Sequence, residues 1–416
     1  MPFNASIAVP LIAAAATAGV ILRPGRIPEY VWALTGAAVL VLAGLLPWRE
    51  ALAAVGKGTD VYCFLVGMML LSELGRREGL FDWLAGVAAR HADGSGSRLF
   101  LWIYGAGTVV TVFMSNDATA VVLTPAVYAA TRQAGVKPLP YLFACALIAN
   151  AASFVLPLSN PANLVVFGSQ LPALGPWLGR FLLPSLASIA TTFLVLRWMF
   201  RAELAGPARA PGSAVALSRT GRLAAVAVVL MAAVLLVASA RDVPLGLPAL
   251  AAAGVGALVI QLARREAPWP LARDMSWGVL PLVAGLFVLV EGVQRAGLLQ
   301  PVAAALKSLA GSSPTAAMWA AGLLSAVGCN LVNNLPAGLA AGSIGQLADA
   351  SAQVRSAIAI GIDLGPNLSV TGSLATLLWL VAIRREGEDV SAWQFLKVGV
   401  VVMPVALVAA LAALTV

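Results

Sequence analysis

The sequence predicts an all-α polytopic membrane protein built from two inverted repeats, with re-entrant hairpins, broken transmembrane helices and roughly ten to twelve spans. Three observations predict it. Hydrophobic residues make up 60% of the 416 and charged residues 11%, with a mean hydropathy of +0.92; a soluble domain of this length needs far more surface charge. Apolar runs of bilayer length recur from end to end. The runs in the two halves repeat in order and spacing, and polar residues interrupt them at matching places.

Composition also excludes. The formal charge of +8 sits in connectors, which fits the bias of basic loops toward the cytoplasm rather than nucleic-acid binding. Cys63, Cys145 and Cys329 stand alone in apolar stretches, so neither a disulfide framework nor a Cys/His cluster is expected. The only histidine, His91, lies in a polar loop, which rules out ligation by histidine pairs; no metal and no cofactor is expected. A membrane enzyme acting on phosphorylated lipid would need paired acids for Mg²⁺ or a catalytic His or Cys with partners. The chain shows neither and reads as a non-enzyme.

The N-terminus has no basic stretch and no small-residue cleavage site, so Ile7 to Leu22 reads as the first span rather than a removed signal. Further apolar runs start at Tyr30 and Tyr62. The run after Gly79 is too short to cross at about 1.5 Å per residue, and residues 79–98 read as a re-entrant or hairpin element. Ser115-Asn116-Asp117 separates the next two runs, and Ser159-Asn160-Pro161-Ala162-Asn163 follows the run from Tyr141. The run from Trp177 closes a first half, residues 1–200. Residues 201–218 read as a basic, flexible cytoplasmic connector, with Arg201, Arg209, Pro207, Pro211 and Gly212. The second half, residues 219–416, repeats the series. Its basic connector at Arg264–Arg273 is expected on the cytoplasmic side, with the Arg241-Asp242 turn outside.

The repeat has a register. Gly67, Glu73 and Gly79 are six residues apart, as are Gly285, Glu291 and Gly297. The shift of 218 residues that joins the two sets also carries Asn116 onto Asn334. A shift of 213 lays Asn150 on Asp363, and Ser159–Asn163 on Gly372–Thr376. Two repeats with breaks at matching positions point to a central transport site.

The segment from Asp363 to Trp379, DLGPNLSVTGSLATLLW, carries the most information. An acid, Gly365, Pro366, Asn367, Gly372 and four hydroxyl residues interrupt an otherwise apolar run. Non-helical backbone survives at membrane depth only where protein or water surrounds it. The segment therefore reads as two helical arms around a polar break, whose exposed ends can bind a small polar solute.

Each polar residue also has a bland reading. Asn at a break can simply cap a helix. Glu73 and Glu291 end equivalent spans beside Arg76, Arg77 and Arg295 and read as structural pairs. The cysteines could meet a soft metalloid but do not cluster, and read as packing residues. The eleven tryptophans read mostly as interfacial anchors. Asp117 and Asp363 stand apart: a carboxyl at membrane depth is costly and usually marks an ion or proton pathway.

The stretches Ser115–Pro125 (SNDATAVVLTP), Ala152–Val165 (ASFVLPLSNPANLV), Asn333–Pro336 (NNLP) and Asp363–Trp379 resemble the arsenical pump membrane proteins, the arsenite permeases of the ion transporter superfamily. The resemblance runs in order along nearly the whole chain. It departs at Ser115, where many relatives have Asn, and at Val370, where some have Pro. It implies a carrier of the bacterial inner membrane that expels arsenite and antimonite in exchange for protons by alternating access. Some members also couple to a cytoplasmic arsenite-stimulated ATPase. Carried over by position, Asn116, Ser159, Asn160, Asn163, Asn333, Asn334, Asn367, Thr371, Gly372 and Ser373 would contact substrate, with Asp117 and Asp363 coupling the proton. The same superfamily includes sodium-coupled carboxylate carriers and sodium/proton exchangers, which leaves the substrate open at this point.

Overall fold

A computed structural model describes residues 5–209 and 216–415. Part of the expected connector, residues 210–215 with Pro211 and Gly212, lies outside the described residues. The first half contains α1 (Ala5–Leu22), α2 (Glu29–Leu42), α3 (Trp48–Lys57), α4 (Thr59–Arg77), α5 (Leu80–Arg90), α6 (Gly96–Phe113), α7 (Thr124–Gln133), α8 (Leu139–Ala151), α9 (Pro161–Phe167), α10 (Leu174–Met199) and the short α11 (Arg201–Leu204). The second contains α12 (Arg219–Ala240), α13 (Gly246–Arg264), α14 (Trp269–Arg273), α15 (Val279–Arg295), α16 (Gln300–Ser312), α17 (Pro314–Val332), α18 (Asn334–Leu347), α19 (Ala352–Leu364), α20 (Leu374–Arg385) and α21 (Ala392–Ala413).

Six of these helices are long and apolar enough to cross a membrane. Counting the bent pairs α3/α4, at 47°, and α15/α16, at 75°, as spans brings the number to eight, and three shorter apolar helices remain. The ten to twelve expected from the sequence are reached only through such pieces. A helix interrupted at mid-depth leaves two arms, neither of which spans the hydrocarbon alone.

The repeat is visible in the element boundaries. Shifting α6 by 218 residues puts its first residue, Gly96, on Pro314 at the start of α17. Shifting α8 by 213 puts Leu139 and Ala151 on the two ends of α19. Gly79 and Gly297, at φ 71° and 81°, turn the chain after α4 and α15, a left-handed conformation that favours glycine.

The repeats run in opposite directions, and ion pairs show it. At the end of α4, Arg77 donates to the Pro270 carbonyl and pairs with Asp274 at 2.6 Å, both just ahead of α15. At the end of α15, Lys57 donates to Glu291 at 2.6 Å and Arg295 pairs with Glu50, both just ahead of α4. Each helix therefore ends beside the start of its counterpart. The sequence reading paired both glutamates with neighbouring arginines. That holds for Glu73, which accepts from Arg76 and Arg77, whereas Glu291 takes a lysine from the other half because the antiparallel arrangement places Lys57 there.

The two halves are interleaved. α2 packs against α15, and α13 packs against α4. The second contact is pinned at both ends: the Gly246 N–H donates to Asp60 Oδ1 at 2.7 Å, and Arg264 pairs with the buried Glu78 at 2.7 Å. α10 packs against its own counterpart, α21. The connector is less free than its composition suggests. Gly206 accepts from the Gly96 N–H, and the N–H groups of Ala208 and Arg209 donate to the carbonyls of Gly94 and Ala134; unpaired backbone so close to the protein would cost more than its ordering.

α17 and α19 pack backbone to backbone. Gly361 and Gly365, four residues apart, face α17, and a Cβ on Gly365 would fall 2.5 Å from the Ala326 carbonyl oxygen. Small residues at this spacing let membrane helices approach backbone to backbone. We predict that Gly365→Val destabilises the purified protein by about 1–3 kcal/mol or more through overpacking. Gly105→Ala, at an exposed position with no atom near its added methyl, should be neutral or stabilising by up to about 1 kcal/mol; thermal unfolding followed by size exclusion distinguishes them. A cysteine at Lys57 or Glu291 should react with a membrane-impermeant thiol reagent from one side of the membrane only. A cysteine at Arg76 or Asp274 should react only from the other.

Candidate functional site

In the second half α19 stops at Leu364, and single 3₁₀ turns follow at Gly365–Asn367 and Val370–Gly372. Pro366 has no N–H to continue the helical ladder. Ser373, in extended conformation, then caps α20, its Oγ accepting from the Thr376 N–H at 3.1 Å. The first half repeats this in register: α8 stops at Ala151, a 3₁₀ turn spans Pro157–Ser159, and Asn160 caps α9 by accepting from the Ala162 N–H at 3.0 Å. Buried indoles fix both breaks. Trp379 Nε1 donates to the Leu142 carbonyl and Trp177 Nε1 to the Phe154 carbonyl. These two of the tryptophans are core residues, not interfacial anchors.

The breaks face each other across the halves. Asn160 Nδ2 donates to Asp363 Oδ1 at 2.8 Å, and Asn150 Nδ2 donates to Asn367 Oδ1 at 2.9 Å. Asn367 Nδ2 then donates to the Leu147 carbonyl, and Asn163 Nδ2 to the Ser153 carbonyl, each at 3.0 Å. Asn150, Asn160, Asn163, Asp363 and Asn367 are each no more than 1% exposed. Asn150 Oδ1, Asn163 Oδ1 and Asp363 Oδ2 remain without a partner in this centre. Of the expected site residues, Asn160, Asn163, Asp363 and Asn367 therefore come together.

Others form a second group around Asn330 of α17, which sequence reasoning missed. Asn330 Nδ2 donates to the carbonyls of Ala326 and Gly365, and its Oδ1 accepts from Ser369 Oγ at 2.6 Å. Thr371 Oγ1 donates to the Asn330 carbonyl at 3.2 Å, and Asn333 Nδ2 reaches the Thr371 carbonyl at 3.4 Å. Gly372 lies against Pro366 and Asn330 with no room for a side chain. In this group Thr371, Gly372 and Asn333 hold the break together. Ser159 does the same in the first half, donating to the Val112 carbonyl at 3.0 Å. Nothing in the hydropathy singles out Asn330, an isolated polar residue in an apolar helix.

The Ser115–Leu123 segment forms a third group. The Ser115 Oγ accepts from the Ala118 N–H, and Asn116 Oδ1 from the Asp117 N–H. A π-helical stretch over Ala118–Leu123 follows, with Thr111, Thr119 and Thr124 bonded along it; such stretches often mark functional sites. Asp117 is half-buried, and Asn334 keeps a buried Oδ1 without a partner. His91 is exposed at the end of α5, its ring 4.9 Å from that of Trp102. The cysteines stay apart, Cys145 and Cys329 buried.

A crevice of about 660 Å³ opens on the face that carries Lys57, Asp60, Asp242 and Glu291. Its lining reaches Leu164 and Val165, next to Asn163, but contains none of the twelve expected site residues. In this state the polar centre is closed off.

Antiparallel repeats, paired breaks and a sealed polar centre with a lone carboxyl define a helical membrane transporter. Comparison with known proteins narrows this. Residues 17–365 match the family described as "Citrate transporter" (CitMHS). The arsenical pump membrane proteins of Yersinia enterocolitica and of Escherichia coli K12 are 30% and 29% identical over 367 residues, 84% of this chain and of each relative. A transporter of Mycobacterium tuberculosis is 26% identical over 93% of both chains. The crystal structure of the Alcanivorax borkumensis YdaH transporter shares the fold, with a TM-score of 0.59 over 88% of this chain and 86% of that one, at 16% identity. The chain belongs to this family, the part of the ion transporter superfamily that contains the arsenical pump membrane proteins.

Asn367→Leu removes the cross-half amide pair and strands Asn150 Nδ2. It should destabilise the purified protein by about 1–3 kcal/mol, measured as a lower thermal midpoint. Ser313→Ala, at an exposed helix cap, should cost about 1 kcal/mol or less.

Proposed function

We propose that this protein exports trivalent arsenic and antimony, as neutral hydroxides, across the bacterial inner membrane in exchange for protons by alternating access. The observation that carries the reading is the chemistry of the buried centre. Amides, hydroxyls and backbone ends line it, and among the described residues no buried polar side chain is Lys or Arg. A neutral trihydroxide needs only hydrogen-bond donors and acceptors. A citrate anion would meet the Asp363 carboxyl with no cation to offset it, a costly arrangement in a low-dielectric interior. The names of the relatives support the same substrate class.

In this reading the face bearing Arg76, Arg77, Arg264 and Arg273 is cytoplasmic, so the crevice opens outward. Asn116, Asn160, Asn163, Asn334, Asn367 and Ser373 bind substrate once the centre opens, and Asp117 and Asp363 carry protons. The second reading is a sodium-coupled carboxylate symporter, supported by the match to the family described as citrate transporter and by the unpartnered acceptor oxygens.

Flux in proteoliposomes separates the two. Arsenite flux should follow an imposed pH gradient and ignore a sodium gradient, and Asp117→Asn should abolish its response to pH while leaving the protein folded. Sodium-driven citrate uptake without arsenite flux would replace the first reading with the second.

A further inference from the structure

Two cavities flank the polar centre. The crevice of about 660 Å³ reaches Leu164 and Val165, next to Asn163. A second cavity, of about 10 Å³, reaches Asn333 and also Leu374, next to Ser373. Its other walls are Val20 and Ile21 at the end of α1, Glu29 at the start of α2, and Leu282 and Leu286 in the first half of α15. α15 starts just after Asp274, which pairs with Arg77. The small cavity therefore lies toward the face that bears Arg77, away from the crevice. It has room for one water at most.

The small cavity is the image of the large one. The 218-residue shift lays Ile21 on Ser239, and the 213-residue shift lays Leu164 on Leu377. Ser239 and Leu164 line the crevice, and Ile21 and Leu377 line the small cavity. Element by element, α1, α15 and α20 stand on one side where α12, α4 and α9 stand on the other. One wall is packed alike on both sides. A Cβ on Gly67 of α4 would fall 2.7 Å from the Ala249 carbonyl oxygen of α13, and one on Gly285 of α15 would fall 3.0 Å from that of Ala33 of α2. The two faces therefore differ in what stands opposite that wall, α9 on one and α20 on the other. Inverted halves can exchange conformations, because each conformation is one the shared fold already adopts in the other half.

We propose that a cryptic crevice opens on the face bearing Arg77 when α20 takes up, relative to α15, the position that α9 now has relative to α4. Glu29, Leu282, Leu286 and Leu377 line it and Asn333 ends it, and it is the route by which a small neutral solute reaches the polar centre from that face. The crevice itself rests on the register of the repeat; its use as a route rests on the alternating-access reading. The Asn160–Asp363 and Asn150–Asn367 bonds tie the two breaks to each other. α9 and α20 therefore move together, and one crevice closes as the other opens.

Thiol accessibility in right-side-out and inverted membrane vesicles tests this without arsenite. Cys63 is first replaced by serine, since the other two cysteines are buried. Leu286→Cys and Leu377→Cys should react with a membrane-impermeant thiol reagent only from the face bearing Arg77, and Ser239→Cys only from the other. Ser343→Trp puts an indole into the open crevice. It should slow both inner reporters by about tenfold or more, by holding the population in the present state, and leave Ser239→Cys reactive. If Ser343→Trp does not fold, a bulky maleimide attached to Ser343→Cys in the folded protein supplies the same wedge. Inner reporters that never react, that react from the crevice face, or that react as fast with the wedge in place would overturn the proposal. Failure of the export reading is separate: paired accessibility without arsenite flux would keep the cryptic crevice and change the solute.

Discussion

Everything in this molecule depends on how it satisfies broken backbone at the depth of the membrane. A helix that stops inside the hydrocarbon leaves N–H and C=O groups that neither lipid nor water can pair. Here each break is answered by the other half. Side chains of α8 and α9 bond those of α19 and its 3₁₀ turn, through Asn160–Asp363 and Asn150–Asn367. Caps from Asn160 and Ser373 start the second arms. The centre is polar because the chain ends there, and it is closed because the ends are paired with each other.

This accounts for the surrounding architecture. α19 approaches α17 through Gly361 and Gly365, which leaves Asp363 between them free to face α9. Asn330 ties the second break to α17, and the Val112 carbonyl ties the first to α6 through Ser159. These two carbonyl-bearing positions are themselves related by the 218-residue shift. Residues that hold a break and residues that face the buried centre are thus different side chains of the same polar segments. Thr371 and Gly372 hold, while Asn163 and Asp363 face inward.

Much of this was legible in the sequence because a carboxyl, a proline and a run of amides inside apolar segments are costly anywhere else. The breaks and their register follow from that cost, whereas the antiparallel direction is set out by the ion pairs that join the end of each of α4 and α15 to the start of the other. Three features were not legible. The π-helical stretch after Asp117 is made by backbone bonds between residues five apart and has no pattern in hydropathy. Asn330 looks like any polar residue in an apolar helix until its carbonyl partners are placed. The Lys57–Glu291 pair joins residues 234 apart, and the nearer Arg295, which offered a simpler pairing, goes to Glu50 of the other half.

The exchange of α2 and α13 between the halves makes neither half a self-sufficient unit. α2 is bedded on α15, and α13 on α4, so a chain cut in the connector would give two pieces each missing the surface its own helices need. The protein is in effect a dimer fused head to tail. Along the contacts of α10 with α21 and of α8 with α19 a helix meets its own image, so those seams retain the self-complementarity such a dimer would have had. The two copies have diverged even there, since Asn150 of α8 stands at the position that the 213-residue shift gives to the acidic Asp363 of α19.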